Sequence, residues 1–246
     1  MKTIVAKVDL RQASSAEVIQ TAAKILQEGG LVAFPTETVY GLGGNGLDSA
    51  ACEKIYLAKG RPSDNPLILH ISEIEELDRI VAEVSLQARA LMDAFWPGPL
   101  TMIFKKKDIV PAKATGGLDT VAVRFPNHPV ARAIIRAAGL PIAAPSANSS
   151  GKPSPTRASH VEYDLNGKID MIVDGGAAEW GLESTIVDVS DENWQIHAQT
   201  VDKVVAQLGA QDIPRVMVYN KADKCDPDVI PFIRPDSNSS LNVTSK

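Results

Sequence analysis

A chain of 246 residues, 44% hydrophobic and 22% charged, is long enough to bury a sizeable core in one large domain. A formal net charge of -5 excludes a surface coated in basic charge for nucleic acid, though not a single basic cleft. The two cysteines, Cys52 and Cys225, are far apart; they give neither zinc-ligand spacing nor a disulfide framework, which points to a reducing compartment.

The N-terminal MKTIVAKVDLRQ meets charge within a few residues and has no apolar signal core. No apolar run approaches the roughly 18–20 residues of a membrane span, so the expectation is a cytoplasmic protein with no membrane partner. Thr3–Val8 reads as a strand. Ser14 with Glu17 is spaced as a capping box opening a helix through Leu26, ended by Gly29-Gly30. Leu31–Phe34 is a short buried strand stopped by Pro35, and a glycine-rich turn follows. Asp48 or Ser49 caps a helix to about Ala58. Leu67–Ile71 is a strand, Glu73–Val81 and Ser85–Phe95 are helices, and Trp96-Pro97-Gly98-Pro99 is a rigid turn. Thr101–Phe104 and Thr120–Phe125 alternate like strands, Pro129–Ala138 is helical with His128 as its cap, and Pro141–Ala144 is a buried strand. Met171–Val173 and Ser184–Val189 are the last strands expected. This alternation predicts an α/β or α+β domain with a mixed sheet and flanking helices.

The residues that carry chemistry gather in a few blocks. PTETVYG sets Thr36, Glu37, Thr38 and Tyr40 just past a strand end, where small-molecule sites of α/β folds collect. An ordinary polar turn is the other reading. Gly41 to Gly46 also fits the dinucleotide pattern GxGxxG, but it does not run directly from strand into helix and no acidic partner follows at the expected offset. Lys59 and Arg61 flank Gly60 before Pro62: two cations on a proline-stiffened turn suit phosphate, and a solvated helix end is the alternative. The constrained run Ser63-Asp64-Asn65-Pro66 into a buried strand favours the phosphate reading. His70, within LILHI, reads by itself as a satisfied core group. Thr120 and Arg124 share a strand face with Ala122, where an arginine can grip a carboxylate, or simply face solvent. Ser146, Asn148, Ser154 and Thr156 are hydroxyls and an amide held among prolines, suited to phosphate and ribose oxygens, or else a flexible loop. Ser184 adds one more hydroxyl.

Four blocks in order, PTETVYGLG, KGRPSDNPLILH, TVAVRFPNHP and PSANSSGKPSPT, with WPGPLT and GLESTIVDV between and after them, resemble the YrdC/TsaC family over about residues 10–195. The resemblance implies a twisted open mixed sheet around a concave, positively charged cavity. It implies synthesis of L-threonylcarbamoyladenylate from L-threonine, bicarbonate and ATP with Mg2+, releasing pyrophosphate, for modification of the tRNA adenosine beside the anticodon. By position, Thr36, His70, Thr120, Arg124 and Ser184 would surround threonine, and Lys59, Arg61, Asn65, Ser146, Asn148 and Ser154 would hold ATP. Lys59 and Arg61 would stabilise charge on the phosphoryl oxygens, with no protein-held metal. tRNA or tRNA-modification proteins are the implied macromolecular partners. Two alternatives stay open: an RNA-binding module that uses the cavity without catalysis, and a carbamoyl-transfer domain related to hydrogenase maturation factors.

The resemblance weakens after Trp194-Gln195-Ile196, where the family's Arg-Pro-Gly turn is replaced by His197-Ala198-Gln199. The division expected is a catalytic domain over 1–197 and a tail over 198–246. That tail, with LGAQDIPRVMVYNKADKC, resembles a fragment of an HflX-type GTPase, yet no GxxxxGK[ST] phosphate loop occurs in the chain.

Overall fold

The computed structural model describes residues 2–84, 86–184 and 186. The tail over 198–246 lies outside them, as does most of the strand expected at Ser184–Val189, of which Ser184 and Ile186 are in irregular structure. The strands are β1 (Ile4–Lys7), β2 (Val32–Pro35), β3 (Tyr40–Asn45), β4 (Ile68–His70), β5 (Thr101–Lys105), β6 (Thr120–Arg124), β7 (Ile142–Ala143) and β8 (Met171–Asp174). The helices are α1 (Ser14–Gln27), α2 (Ser49–Lys59), α3 (Leu77–Ile80), α4 (Leu86–Phe95), α5 (Ala112–Thr115), α6 (Pro129–Ala138) and α7 (Ala158–Leu165), with a 3-10 turn at Ile74–Glu76.

Among the described residues the eight strands form one sheet in the order β1-β8-β2-β3-β7-β4-β6-β5. β8 runs parallel to β1 and β2, and β4 parallel to β6; the remaining pairs are antiparallel, so the sheet is mixed as expected. Alternate residues of β2 and β8 feed two apolar layers. Val32, Phe34, Met171 and Val173 pack with Ile19, Leu26, Ile134 and Ile135 of α1 and α6. Ala33 and Ile172 face the opposite way, toward Ile55 of α2 and Val161 and Leu165 of α7.

Local chemistry explains most boundaries. Asp48 accepts a hydrogen bond from Ala50 N at 2.8 Å and caps α2, and His128 Nδ1 accepts from Val130 N at 3.2 Å and caps α6. The capping box of α1 does not form. Ala13 is the N-cap with no side-chain bond, while Ser15 Oγ donates to Asp9 O and ties the entry turn to the helix.

The glycine-rich segment is not a turn. Tyr40–Asn45 is strand β3, a hairpin partner of β2 with Pro35 opposite Tyr40. Composition argues against a strand there, because glycine packs no side chain and is flexible. Here the missing side chains are the requirement. A Cβ on Gly43 would come within 2.6 Å of Phe34 Cε1 and 2.9 Å of Ile142 Cγ2, and one on Gly46 within 2.8 Å of Pro141 O. The PTET loop joins β2 to β3 and lies against the end of β6, where Glu37 and Thr38 meet Arg124.

Candidate functional site

At that point the sheet opens into a cavity of about 330 Å3. Its inner end is formed by Thr36 and Thr38 of the PTET loop, His70 at the end of β4 and Arg124 at the end of β6, each at most 4% exposed. Arg61, Asn65, Ser146, Glu183 and Ser184 line it further out, and Ile68, Ile103, Ala122 and Ala144 give it apolar walls.

Arg124 is the buried charge of the site. Its Nη2 donates to Glu37 Oε1 at 2.6 Å, its Nη1 to Thr38 Oγ1 at 3.0 Å, and its Nε to Gly98 O at 3.4 Å. The Glu37 side chain is 6% exposed and its second oxygen accepts from Asn127 N. Three of the five guanidinium N–H groups are thereby spent; two remain without a partner among the described residues. A fixed guanidinium with two spare donors at the closed end of a cavity suits a carboxylate. Thr36 and Thr38 sit two apart, with their hydroxyls 2.9 Å from each other, and Thr36 Oγ1 donates to Val39 O to close the loop.

His70 is held neutral. Burial, and then the charge of Arg124, lower it from 6.5 to about 3, and Nδ1 lies 3.2 Å from Ile68 O. As pH falls below 6.5 the unfolded chain binds this proton, whereas the folded chain does not until about 3, so stability is full above 6.5 and drains away below it. His128 is lowered too, by burial, and adds to the same slope. Between pH 7 and 4.5 the native chain should lose about 2–3 kcal/mol more than a His70→Gln variant. Urea unfolding at both pH values checks this, and equal losses would refute it.

The two cations of the KGRP turn part ways. Arg61 lines the cavity; Nη2 donates to Asn65 Oδ1 at 2.6 Å and to Pro66 O at 3.0 Å, and Nε to Asn65 O at 3.3 Å. Both Nη1 hydrogens are without a partner among the described residues. Lys59, 4% exposed, instead closes α2 against the loop after β7. Its ammonium donates to Ser146 O, Asn148 O and Asn148 Oδ1. Burial, and then Arg61, lower it to about 8. Ser146 Oγ and the Asn148 amide continue this knot to Ser149 O and Lys152 O.

Of the residues expected from sequence, Thr36, Arg61, Asn65, His70, Arg124, Ser146 and Ser184 line the cavity; Lys59, Thr120, Asn148 and Ser154 do not. Thr120 begins β6, about 13 Å along the strand from Arg124. Lys59 and Asn148 lie behind the loop that carries Ser146. Ser154 reaches the site indirectly, donating to Glu183 Oε1. The sequence set Thr38 and Glu37 in the polar PTET turn without a role of their own, and Glu183 was given no reading. The two-residue spacing of Thr36 and Thr38 was a usable signal for the first; the partners of the other two are too distant in sequence to be read. Among the described residues no group of three His, Cys, Asp or Glu could hold a metal ion, and no helix is long and apolar enough to cross a membrane.

Known proteins are similar in sequence and fold. The chain is 55% identical to the threonylcarbamoyl-AMP synthase of Pyrococcus abyssi over 173 residues, 70% of this chain and 51% of that protein. It is 55% identical to the threonylcarbamoyl-AMP synthase of Bacillus subtilis over 175 residues, 71% of this chain and 51% of that one. The chain therefore spans about half the length of these curated relatives. Among solved structures, P. abyssi Sua5 complexed with L-threonine superposes with a TM-score of 0.73 at 50% identity, covering 78% of this chain and 55% of that one. The family model for Sua5, YciO and YrdC, described as telomere recombination, matches residues 24–199. With its ordered sequence blocks and its mixed eight-stranded sheet, the chain belongs to the Sua5/YciO/YrdC family.

Proposed function

We propose that this chain is a nucleotidyltransferase that makes L-threonylcarbamoyladenylate from L-threonine, bicarbonate and ATP, releasing pyrophosphate, and that its product serves threonylcarbamoyl modification of tRNA. The observation that carries the reading is Arg124: a buried guanidinium with two spare N–H groups at the closed end of a cavity, beside the Thr36 and Thr38 hydroxyls and neutral His70. That end suits an amino acid bearing a carboxylate and a hydroxyl. The more exposed end, with Arg61, Asn65 and Ser146, suits phosphate. No Phe, Tyr or Trp lines the cavity among the described residues, which leaves an RNA base no platform to stack on.

No nucleophile–base pair is required. The threonine nitrogen attacks carbon dioxide derived from bicarbonate, and the resulting carbamate oxygen attacks the α-phosphorus of ATP. This chain's residues contribute position and charge. Arg124 fixes the carboxylate, Ser184 borders the amino-acid end, and the Nη1 hydrogens of Arg61 meet phosphoryl oxygens. Asn65 aims Arg61, and Lys59 and Asn148 hold Ser146 in place from behind. Mg2+ keeps most of its water shell and is held largely by substrate phosphates with one or two carboxylates. It would arrive on the triphosphate, and no step is assigned to it. We read residues 1–197 as the catalytic unit and 198–246 as an appended segment, in a cytoplasmic enzyme.

Pyrophosphate release assayed with and without threonine and bicarbonate tests the activity; release that ignores both would refute it. Arg61→Ala should lower kcat/KM for ATP ten- to hundredfold, the cost of about 1.5–3 kcal/mol for a charge-assisted bond, while melting stays close to native. Unchanged turnover at subsaturating ATP would remove Arg61 from the phosphate site.

A further inference from the structure

We propose that Glu183 is a further catalytic residue, its carboxylate receiving the threonine ammonium and then taking the proton that the nitrogen sheds on bonding to carbon dioxide. The inference rests on the reaction proposed above.

Glu183 is the only Asp or Glu among the described residues that line the cavity. The other charged lining residues, Arg61 and Arg124, can only donate. Glu37 does not line the cavity, and its two oxygens are occupied by Arg124 Nη2 and Asn127 N. His70 is kept from holding a proton near neutrality by burial and by Arg124. The amine of a bound amino acid therefore has one carboxylate to turn to.

That carboxylate is held in place but only partly spent. Oε1 accepts from Ser154 Oγ, and Oε2 is without a partner among the described residues. The backbone leading to it is pinned to the PTET loop, with Trp180 N donating to Glu37 O at 3.0 Å and Gly181 N to Thr38 O at 2.9 Å. On its far side Ser184 Oγ lies 3.0 Å from Thr101 Oγ1. Glu183 is thus fixed at the cavity from both sides, while its own exposure lets it return a proton to water.

The step balances. Bicarbonate takes up a proton and loses water to give carbon dioxide. Threonine releases one ammonium proton to solvent. The amine lone pair then forms the N–C bond, one C=O π pair moves onto oxygen, and the second N–H proton passes to Glu183 Oε2. The carbamate is left, and the carboxylic acid gives its proton to water.

The test compares the native chain with Glu183→Gln and Glu183→Asp, by pyrophosphate release at saturating ATP and threonine and high bicarbonate, at pH 7 and pH 9. At pH 7 Glu183→Gln should lose at least about tenfold in kcat, and Glu183→Asp far less, as expected for a positioned proton acceptor. At pH 9, where amines and carbon dioxide form carbamates without help, the Glu183→Gln deficit should shrink to within about threefold. A deficit equal at both pH values, an Asp variant as poor as Gln, or a defect confined to KM for ATP would each overturn the proposal. A native chain that releases no pyrophosphate with all three substrates would defeat the reaction itself, and this role with it.

Discussion

Arg124→Leu should lower the free energy of unfolding by about 3–5 kcal/mol and weaken L-threonine binding at least about hundredfold, whereas Glu37→Leu/Arg124→Leu should regain most of the stability and none of the binding. Both side chains are nearly sealed, at 5% and 6% exposure, and are joined at 2.6 Å. Removing the arginine alone strands a carboxylate that keeps, among the described residues, only the Asn127 N–H as donor. Removing both ions takes away the desolvation cost together with the attraction, and apolar replacements of a buried pair are often neutral. Binding behaves differently, because the spare N–H groups belong to Arg124 alone. A double variant no more stable than Arg124→Leu would refute the ion-pair account. Threonine affinity that survives Arg124→Leu would remove the carboxylate role. Urea unfolding and calorimetry on the same three chains read both quantities.

This pair also marks where sequence reasoning reached its limit. Arg124 was legible as an arginine on a strand face among small residues, and Glu37 as part of a polar loop. Nothing in one sequence joins two residues 87 apart; their union is set by the sheet order, which lays the β2–β3 hairpin over the end of β6. Helices α2 and α6 were legible because their caps are local: Asp48 before α2 and His128 before α6 bond to N–H groups two residues on. β3 was not, because its glycines answer to Phe34 and Ile142 across the sheet rather than to their neighbours in sequence. Thr120 was placed on the correct face of β6, yet sharing a face does not bring two side chains to one site when the strand carries them about 13 Å apart. Glu183 escaped notice because a lone Glu in GLEST has no pattern; only the hydrogen bonds of the preceding residues to Glu37 and Thr38 bring it to the cavity.

The KGRP turn carries the second large effect. Lys59→Met should cost about 2–4 kcal/mol of stability and lower the melting temperature by about 5–12 °C, while Arg61→Ala should melt near the native temperature. In sequence the two cations look like a pair aimed at one phosphate. In the fold, Lys59 gives its three N–H groups to Ser146 O, Asn148 O and Asn148 Oδ1, and Arg61 faces the cavity. Losing the ammonium leaves the Ser146 and Asn148 carbonyl oxygens short of a donor in a buried place, at about 1–3 kcal/mol each when water cannot replace it, while Asn148 Oδ1 keeps Ser146 Oγ. Part of that loss is offset, because burial already disfavours the charge, as its lowering to about 8 reflects. Nucleotide affinity should fall as well, since Ser146 rides on the same loop, so affinity alone cannot separate the two cations. Melting can. If Lys59→Met melts like the native chain and loses ATP affinity as Arg61→Ala does, the lysine meets the nucleotide directly, and its role as the brace behind the Ser146 loop is withdrawn.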